Sequence, residues 1–486
     1  MKSSLKSIFT WVIIAFFAIT AILLFFLWHN SDSELKIAIS TPGMDNPPEP
    51  KNKPNRVNIK IGEFFQKFEG TPSGDSGEWP RFRGANSDNI VRSEKKLADR
   101  WPEKGPKILW NITLLGEGHA APAVHKGRVY LLDYDEKERA DALRCLSLDT
   151  GKEIWRRWYH IKAKRNHGIS RTIPAVTDKY TVTIGPKCQV MCVDSISGDL
   201  KWGLDLVKDF GTAEPFWFTG QCPLVVDNTA IIAPCGKEIL MMGVDCESGK
   251  IEWQVPNSDS WQMSHSSIMP VTLYGKKMYL YAALGGIIAI SAEKENMGQV
   301  LWKTKEWNCS VIAPSLLYLG DGRFFITAGY GAGSMVFHVD KSYKIKVIAK
   351  YKPNKGLASE QQTPIVYNGY VYGIQPKDGG KLRKQFVCYS VKDTINPVWS
   401  SGDRYGLGPY IIADKKIYIL NDRGTLTMIR LSSQKYQVLG QVKVMDGHDA
   451  WGPMVIVGNK LLLRDLTRLY CLDIGKRANH PPPPNN

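Results

Sequence analysis

The chain has 486 residues, including 15 Trp, 43 Gly and 9 Cys, and its formal net charge at pH 7 is +16. This length would suit about three ordinary domains, but ring-shaped β folds routinely exceed the usual domain size, so one large domain with attachments is predicted. The cationic balance favours contact with anionic surfaces or polymers. Because the basic residues are scattered through turns and no nucleic-acid motif accompanies them, no nucleic-acid partner is predicted.

Residues 1–30 predict a membrane anchor. Lys2 and Lys6 precede an uncharged apolar stretch from Ile8 to Trp28, which is long enough for the roughly twenty residues that cross a bilayer. A cleaved signal peptide, the alternative, would have a shorter apolar core and a small-residue exit. Basic residues before the stretch and acidic residues after it place the amino terminus in the cytoplasm. The sequence therefore predicts a single-pass protein of a bacterial cell membrane, with the rest of the chain on the periplasmic side.

Two polar segments flank the predicted domain. Residues 31–78 are rich in Pro, Asn and Lys and are predicted to form a tether. Within that tether, residues 59–68 are predicted to form a short helix with its apolar side chains on one side. At the other end, residues 477–486 form a proline-rich tail that is predicted to be disordered.

A proline that enters an apolar run recurs eight times in residues 79–476, at steps of 44 to 52 residues. Such a period is typical of a propeller blade or a solenoid unit. Each period contains four short runs separated by tight turns and no sustained helical period, which favours antiparallel sheets arranged as a β-propeller. The eight prolines are Pro122, Pro174, Pro223, Pro270, Pro314, Pro364, Pro409 and Pro453.

The repeat count predicts an all-β, eight-bladed propeller that closes on itself. The eighth period ends near Asp473 without a fourth run, and the run around Trp110 lies before the first period. We therefore expect this amino-terminal strand to complete the last blade and to remove the open edge. Tryptophans that recur in the fourth runs are predicted to be structural residues buried between adjacent sheets: Trp110, Trp155, Trp202, Trp253, Trp302 and Trp399.

The nine cysteines do not predict a disulfide framework. Several of them recur at one equivalent place in different blades, where other blades have Gly or Ala, so a small residue is required there for packing. Sulfurs at equivalent places in different blades are too far apart to bond. For two pairs, Cys222 with Cys235 and Cys188 with Cys192, the sequence leaves both a disulfide and free thiols as alternatives. Neither pair has metal-type spacing and no haem-attachment motif is present, so no metal site is predicted.

The segments that lead to the prolines predict a ligand site. Each segment crosses the ring face to reach the channel-lining strand, and these segments are rich in polar and aromatic residues, as a small-ligand site requires. The alternative is that they hydrogen-bond one another to close an empty or water-filled channel, with Arg171 and Glu360 paired. The candidate ligand-binding residues are His119, Arg171, Trp217, Gln221, His265, Glu360, Gln361, Tyr405, Asp449 and Trp451.

The repeat and the segment before it resemble known families. The turn sequence D-x-x-T/S-G-x-x-x-W resembles the pyrroloquinoline-quinone (PQQ) repeat of quinoprotein dehydrogenases and of BamB-type outer-membrane assembly lipoproteins. Residues 79–86, WPRFRGAN, resemble the W-P-x-F-R-G-x-N opening of a bacterial family of exported PQQ-like propeller proteins. The repeat is specific to the fold and not to a chemistry, since function depends on a site.

This resemblance implies two classes of function. One is a membrane-tethered, monomeric binding module for an envelope protein or a glycan, without a cofactor. The other is an alcohol or sugar dehydrogenase that holds PQQ and Ca²⁺ in the channel. In the dehydrogenases, the quinone is held by a disulfide between adjacent cysteines and by a stacked tryptophan. This chain has no adjacent cysteines and no cytochrome domain, so a binding module is predicted, with no identified catalytic residue.

Overall fold

The computed structural model describes residues 2–29, 59–164 and 166–476. The chain divides into two units, and the described part of the first is the helix α1, Lys2–His29. Within the described part of the chain, no helix is long and apolar enough to cross a membrane. The predicted transmembrane span is therefore not shown. Most of the predicted tether, residues 30–58, and the tail, residues 477–486, lie outside the described residues.

Residues 57–486 form the second unit, an eight-bladed β-propeller. The eight predicted blades are confirmed. Three strands precede the first complete blade: β1 (Phe64–Lys67), β2 (Ile90–Val91) and β3 (Lys107–Thr113). Blade 1 contains β4 (Ala123–His125), β5 (Arg128–Asp135), β6 (Ala140–Ser147) and β7 (Glu153–His160). Blade 2 contains β8 (Ala175–Val176), β9 (Tyr180–Ile184), β10 (Gln189–Asp194) and β11 (Leu200–Asp205), and the short helix α2 (Leu206–Phe210) follows it.

The middle blades have the same order of strands. Blade 3 contains β12 (Leu224–Val226), β13 (Thr229–Ile232), β14 (Ile239–Asp245) and β15 (Ile251–Pro256). Blade 4 contains β16 (Met269–Leu273), β17 (Lys276–Ala283), β18 (Gly286–Ser291) and β19 (Val300–Thr304), with a 3₁₀ turn at Lys294–Asn296. Blade 5 contains β20 (Leu317–Gly320), β21 (Arg323–Ala328), β22 (Gly333–Val339) and β23 (Ile345–Tyr351).

The last three blades complete the ring. Blade 6 contains β24 (Ile365–Tyr367), β25 (Tyr370–Ile374), β26 (Gln385–Ser390) and β27 (Asp393–Arg404), with a 3₁₀ turn at Gly380–Leu382. Blade 7 contains β28 (Tyr410–Ala413), β29 (Lys416–Leu420), β30 (Thr425–Arg430) and β31 (Val438–Lys443). Blade 8 contains β32 (Val455–Val457), β33 (Lys460–Arg464), β34 (Arg468–Asp473) and the amino-terminal strand β3.

The amino-terminal strand closes the ring as predicted. β3 pairs antiparallel with β34, and Trp110 lies opposite Cys471. This pairing places the blade tryptophan of blade 8 in the strand that precedes blade 1 in sequence. The outer edge of β34 is therefore hydrogen-bonded and unavailable to another chain.

Four of the blade tryptophans donate a hydrogen bond to the next blade. The indole Nε1 of Trp155 in blade 1 donates to the carbonyl oxygen of Ile196 in blade 2 at 3.0 Å. The turn glycine Gly198 has a φ of +77°, and a Cβ built there would lie 2.8 Å from the Trp155 ring. The same donation recurs from Trp110 to Leu148, from Trp202 to Cys246 and from Trp399 to Ser432.

Five of the six blade tryptophans are buried as predicted, and Trp253 is an exception. Trp253 is only partly buried, because it lines a groove of about 740 Å³ that Arg81 and Tyr279 also line. Its cross-strand partner is Gly243, where a Cβ would lie 2.2 Å from the indole nitrogen. Other blades have Cys or Ala opposite the tryptophan, so the recurrent small residue makes room for the indole ring.

None of the nine cysteines forms a disulfide in this structure. The Cys222 thiol accepts a hydrogen bond from the Ile173 N–H at 3.2 Å, and the Cys188 thiol contacts the Thr219 hydroxyl at 3.1 Å. Neither of the two cysteine pairs left open by the sequence is therefore a disulfide in this structure.

The helix predicted for residues 59–68 is wrong, because a strand is present there. β1 pairs with the outer edge of β7, with Phe64 opposite Trp158 and their rings stacked at 5.6 Å. The guanidinium of Arg157 lies over the Phe65 ring at 4.6 Å and donates to the Gly62 carbonyl oxygen at 2.7 Å. The outer edge of β7 has backbone N–H and C=O groups without a neighbouring strand. Residues 64–67 form a strand because they hydrogen-bond to these groups, which a helix could not do.

The opening segment, residues 79–91, runs across the ring. Trp79 forms a bridge with Val124 of blade 1, and Ile90 and Val91 pair parallel with β28 of blade 7. Between these ends, Arg83 donates to the carbonyl oxygens of Thr363 and Pro364, which precede blade 6. Arg81 donates to the carbonyl oxygen of Val225 in blade 3, which lies opposite blade 7 in the ring of eight, so the segment contacts innermost strands on opposite sides.

Candidate functional site

The segments that lead to the channel-lining strands surround a cavity of about 400 Å³, here called the mouth cavity. All eight blades contribute to its lining, because each pre-proline segment reaches the propeller axis. Two further groups contribute: the opening segment and two hairpin ends. The lining includes Phe82, Arg83, His119, His167, Arg171, Trp217, His265, Tyr330, Glu360, Gln361, Lys377 and Trp451.

The structure brings seven of the ten predicted residues together in this cavity. They come from six different blades, and they are His119, Arg171, Trp217, His265, Glu360, Gln361 and Trp451. The other three predicted residues do not line it: Gln221, Tyr405 and Asp449.

Those three residues have structural contacts instead. Gln221 is fully buried, and its side-chain amide donates to and accepts from the backbone of Ala233. The hydroxyl of Tyr405 is hydrogen-bonded to the hydroxyl of Tyr436. The carbonyl oxygen of Asp449 accepts the Trp451 N–H at 2.7 Å, so Asp449 orients a cavity residue without lining the cavity.

Tyr330, Lys377, Phe82 and Arg83 are cavity residues that the sequence did not predict. Tyr330 lies in the turn between β21 and β22 with a φ of +56°, which is rare for a large side chain. Lys377 follows β25. Neither residue lies in a segment that precedes a repeat proline, so the repeat pattern could not predict that they line the cavity. The sequence contains a recognisable motif around Phe82 and Arg83, but it did not predict that this segment crosses the ring and lines the cavity.

The opening segment forms the floor of the mouth cavity. Arg83 is 5% exposed, and four backbone carbonyl oxygens accept from its guanidinium: those of Ser87, Asp88, Thr363 and Pro364, at 2.7 to 3.2 Å. Burial lowers the pKa of Arg83 to about 10. Because every donor nitrogen is used by the backbone, Arg83 holds the floor and has no donor nitrogen left over for a ligand.

Two stacked aromatic pairs form the walls. The rings of Trp217 and Tyr330 are stacked, with their centroids 5.4 Å apart and their planes at 21°. The rings of His119 and Trp451 are stacked at 5.2 Å and 24°. The Trp451 indole N–H donates to a carboxylate oxygen of Asp422 at 2.7 Å, which fixes the orientation of the ring.

The predicted alternative of an Arg171–Glu360 ion pair is wrong. Glu360 is 3% exposed, and its carboxylate lies 3.2 Å from the Lys377 Nζ and accepts the Lys377 backbone N–H at 3.2 Å. The Lys377 Nζ also lies 4.5 Å from the centroid of the Tyr330 ring. The carboxylate is therefore neutralised by a lysine from its own blade rather than by the arginine of blade 2.

Arg171 is the cavity cation with the fewest protein partners. Its guanidinium donates through Nη2 to the His167 carbonyl oxygen at 2.6 Å, and its buried Nε has no hydrogen-bond partner. Burial lowers the pKa of Arg171 to about 10, so the guanidinium is charged at neutral pH. Among the described residues, no carboxylate forms an ion pair with it.

His119 and His265, two of the three histidines that line the cavity, are neutral at pH 7. Burial lowers the pKa of His265 to about 4, and the nearby positive charge of Arg171 lowers it further in the same direction. The same two causes hold the pKa of His119 well below its ordinary value. The buried Nε2 of His265 and Nδ1 of His119 have no hydrogen-bond partner. Both atoms have almost no accessible surface, so they are buried polar groups without a protein partner and not contact points for a ligand.

The cavity chemistry does not fit the quinone and calcium arrangement of the dehydrogenases. Within the described ranges, no group of three or more His, Cys, Asp or Glu side chains could hold a metal ion. The one cavity carboxylate, Glu360, is already paired with Lys377. The sequence also lacks the adjacent cysteines.

Comparisons with known proteins agree with this fold. Residues 139–331 match the family model described as outer membrane protein assembly factor BamB. No curated protein matches the sequence. BamB from Moraxella catarrhalis is similar over 76% of this chain and 99% of its own, with a TM-score of 0.51 and 13% identity.

Two dehydrogenase structures are similar to the same degree. The quinohemoprotein alcohol dehydrogenase from Pseudomonas putida HK5 has a TM-score of 0.56 and 11% identity, covering 84% of this chain and 82% of its own. A europium-containing methanol dehydrogenase has a TM-score of 0.56 and 12% identity, covering 82% and 89%. At such identities the likeness shows the fold alone. The chain is an eight-bladed β-propeller, and its residues 139–331 are similar in sequence to the BamB family model.

Proposed function

We propose that this protein is an extracytoplasmic binding module, tethered to a bacterial membrane by its amino-terminal segment, whose ligand enters the mouth cavity. One observation carries the proposal: the half-buried side chain of Arg171 lines an aromatic-walled cavity and makes one hydrogen bond to the protein, through Nη2. A guanidinium has five N–H donors. A ligand with acceptor oxygens would hydrogen-bond to the donors that the protein does not use.

The proposal of a membrane tether is based on the amino-acid sequence. Lys2, Lys6 and the apolar stretch that follows them favour an anchor with the propeller on the periplasmic side. The match of residues 139–331 to an outer membrane protein assembly factor supports a role in the cell envelope. An envelope protein or a glycan is the partner class that agrees with both observations.

The second candidate is a quinone-dependent dehydrogenase, which the fold of the two dehydrogenase neighbours favours. PQQ and Ca²⁺ added to the purified protein distinguish the two candidates. A dehydrogenase would retain a bound quinone chromophore and reduce a dye with an alcohol. We expect neither result, because the cavity offers one paired carboxylate and no adjacent cysteines.

Glycan and peptide arrays probed with the full chain test the binding proposal. We expect a hit whose affinity falls about tenfold or more in Trp217→Ala, because this ring forms part of the cavity wall. The matched control is Trp101→Ala, which removes an indole that packs on Tyr418, away from the cavity. Equal affinity of both variants for a confirmed ligand would place the site elsewhere.

A further inference from the structure

The arginines near the channel differ in how many protein carbonyl oxygens accept hydrogen bonds from their guanidinium groups. Arg464 is 1% exposed and donates to three carbonyl oxygens, those of Ala120, Asp465 and Leu466. Arg83 donates to four. Arg171 donates to one. A guanidinium has five N–H donors in a planar fork that matches a carboxylate.

Arg171 therefore has donors that an anion could use. Its side chain is half-buried and lines the cavity, and no carboxylate among the described residues forms an ion pair with it. The other basic side chain at the cavity edge, Lys377, is already paired with Glu360. The net charge of +16 would also attract an anionic polymer towards the molecule.

The aromatic walls indicate what the anion is attached to. A flat ligand sandwiched between two rings needs about 7 Å between them, twice the van der Waals contact distance. Trp217 and Tyr330 are 5.4 Å apart, and His119 and Trp451 are 5.2 Å apart, so neither pair leaves a slot. Each pair instead offers a ring face on which the apolar face of a sugar can lie.

We propose that the mouth cavity binds a uronic acid residue of an acidic glycan, with its carboxylate on Arg171 and its ring against Trp217. This inference rests on the proposed function and specifies its ligand. His119 and His265 also line the cavity, and their neutral imidazoles leave Arg171 as the cation that faces the carboxylate. A volume of about 400 Å³ lies in the range of small-ligand sites and suits the end of a chain rather than its middle, because the opening segment closes the floor.

The experiment compares trigalacturonate with neutral galactotriose by isothermal titration calorimetry on the full chain. The variants are Arg171→Gln, Arg171→Lys and the matched control Arg430→Gln, which removes the same charge from an exposed position on β30. We expect trigalacturonate to bind the wild type about 10 to 100 times more tightly than galactotriose, the range for a charged hydrogen bond. Arg171→Gln should remove this difference, Arg171→Lys should retain part of it, and Arg430→Gln should retain all of it.

Thermal unfolding establishes that the variants are folded. Arg171→Gln should melt like the wild type, because the guanidinium has one protein hydrogen bond. If galactotriose binds as tightly as trigalacturonate and only Trp217→Ala weakens both, the anion inference is overturned while the cavity remains the binding site. Equal losses in Arg171→Gln and Arg430→Gln would show general charge attraction and also overturn it. If no array ligand depends on Trp217, the proposed function fails as well.

Discussion

Residues of the same type in this propeller differ in pKa because their environments differ. Asp141 illustrates this point, since its carboxyl is 1% exposed and accepts the Tyr159 hydroxyl at 2.9 Å, while its Oδ1 has no partner. Burial raises the pKa of Asp141 to about 7. Asp194, at the end of β10 beside the turn to β11, has a lowered pKa instead: partial burial would raise it, but the backbone N–H groups of Ile196 and Ser197 donate to its carboxylate.

Asp141→Asn should change how stability depends on pH. The folded protein holds this proton up to about pH 7, whereas the unfolded chain releases it near pH 4, so the wild type loses stability as pH rises from 4 to 7. The loss is about 2–4 kcal/mol. We expect Asp141→Asn to lack this loss and to be the more stable protein at pH 8. Denaturant midpoints measured from pH 4 to 8 check this, and parallel curves would contradict it.

The blade tryptophans should differ in their contribution to stability. Trp155→Ala removes a ring that is 2% exposed and an inter-blade hydrogen bond, and should cost roughly 3–5 kcal/mol. Trp253→Ala should cost about half as much, because the indole is partly exposed in a groove. Urea unfolding followed by circular dichroism measures both. Equal costs would show that exposure does not decide the effect.

At the scale of elements, the three strands before blade 1 each pair with a different blade. β3 completes blade 8, β1 adds a fifth strand to blade 1, and β2 pairs parallel with β28 in blade 7. Residues before position 114 thus contribute strands to three sheets. These pairings join the start of the chain to its end and cover two outer edges and the innermost strand of one blade.

Two truncations separate the role of β3 from that of the residues before it. Deletion of residues 1–114 removes β3 and should expose the edge of β34, so we expect a lower melting temperature and self-association. Deletion of residues 1–103 retains β3 and should remain monomeric, although it loses the contacts of the opening segment. Size-exclusion chromatography and thermal melts compare the two. Identical behaviour of both truncations would refute closure by β3.

At the scale of the whole molecule, the ring is held by buried apolar contacts rather than by covalent links. Eight of the nine cysteines are buried, and the ninth, Cys309, is intermediate. Burial raises the pKa of Cys145 and Cys471, so these thiols are neutral and unreactive in the folded protein. Export to an oxidising compartment would leave such thiols unpaired as long as the ring stays folded.

Thiol titration tests this account of the ring. We expect the native protein to react with at most one equivalent of Ellman's reagent, at Cys309, and the protein in guanidinium to react with nine equivalents. The result should be the same without prior reduction. A deficit of two thiols in the unreduced, unfolded protein would reveal a disulfide and contradict the structure.

The repeat pattern by itself determined the blade count and the closing strand. A proline recurs at the start of the first strands, and a tryptophan recurs in most of the fourth strands, because equivalent positions in different blades have similar packing environments. The number of repeats in the sequence therefore predicts the number of blades. Seven of the ten candidate residues were predictable for the same reason, since every pre-proline segment reaches the axis.

The tertiary structure alone decided the rest. Residues 64–67 form a strand because the edge of β7 offers backbone partners that are distant in sequence. Glu360 pairs with Lys377 rather than Arg171, because the end of β25 returns to the axis beside it. Tyr330 and the opening segment enter the cavity from positions outside the repeat pattern. A period specifies which residues are equivalent, whereas the partners of a charge depend on side chains that meet only when the ring has closed.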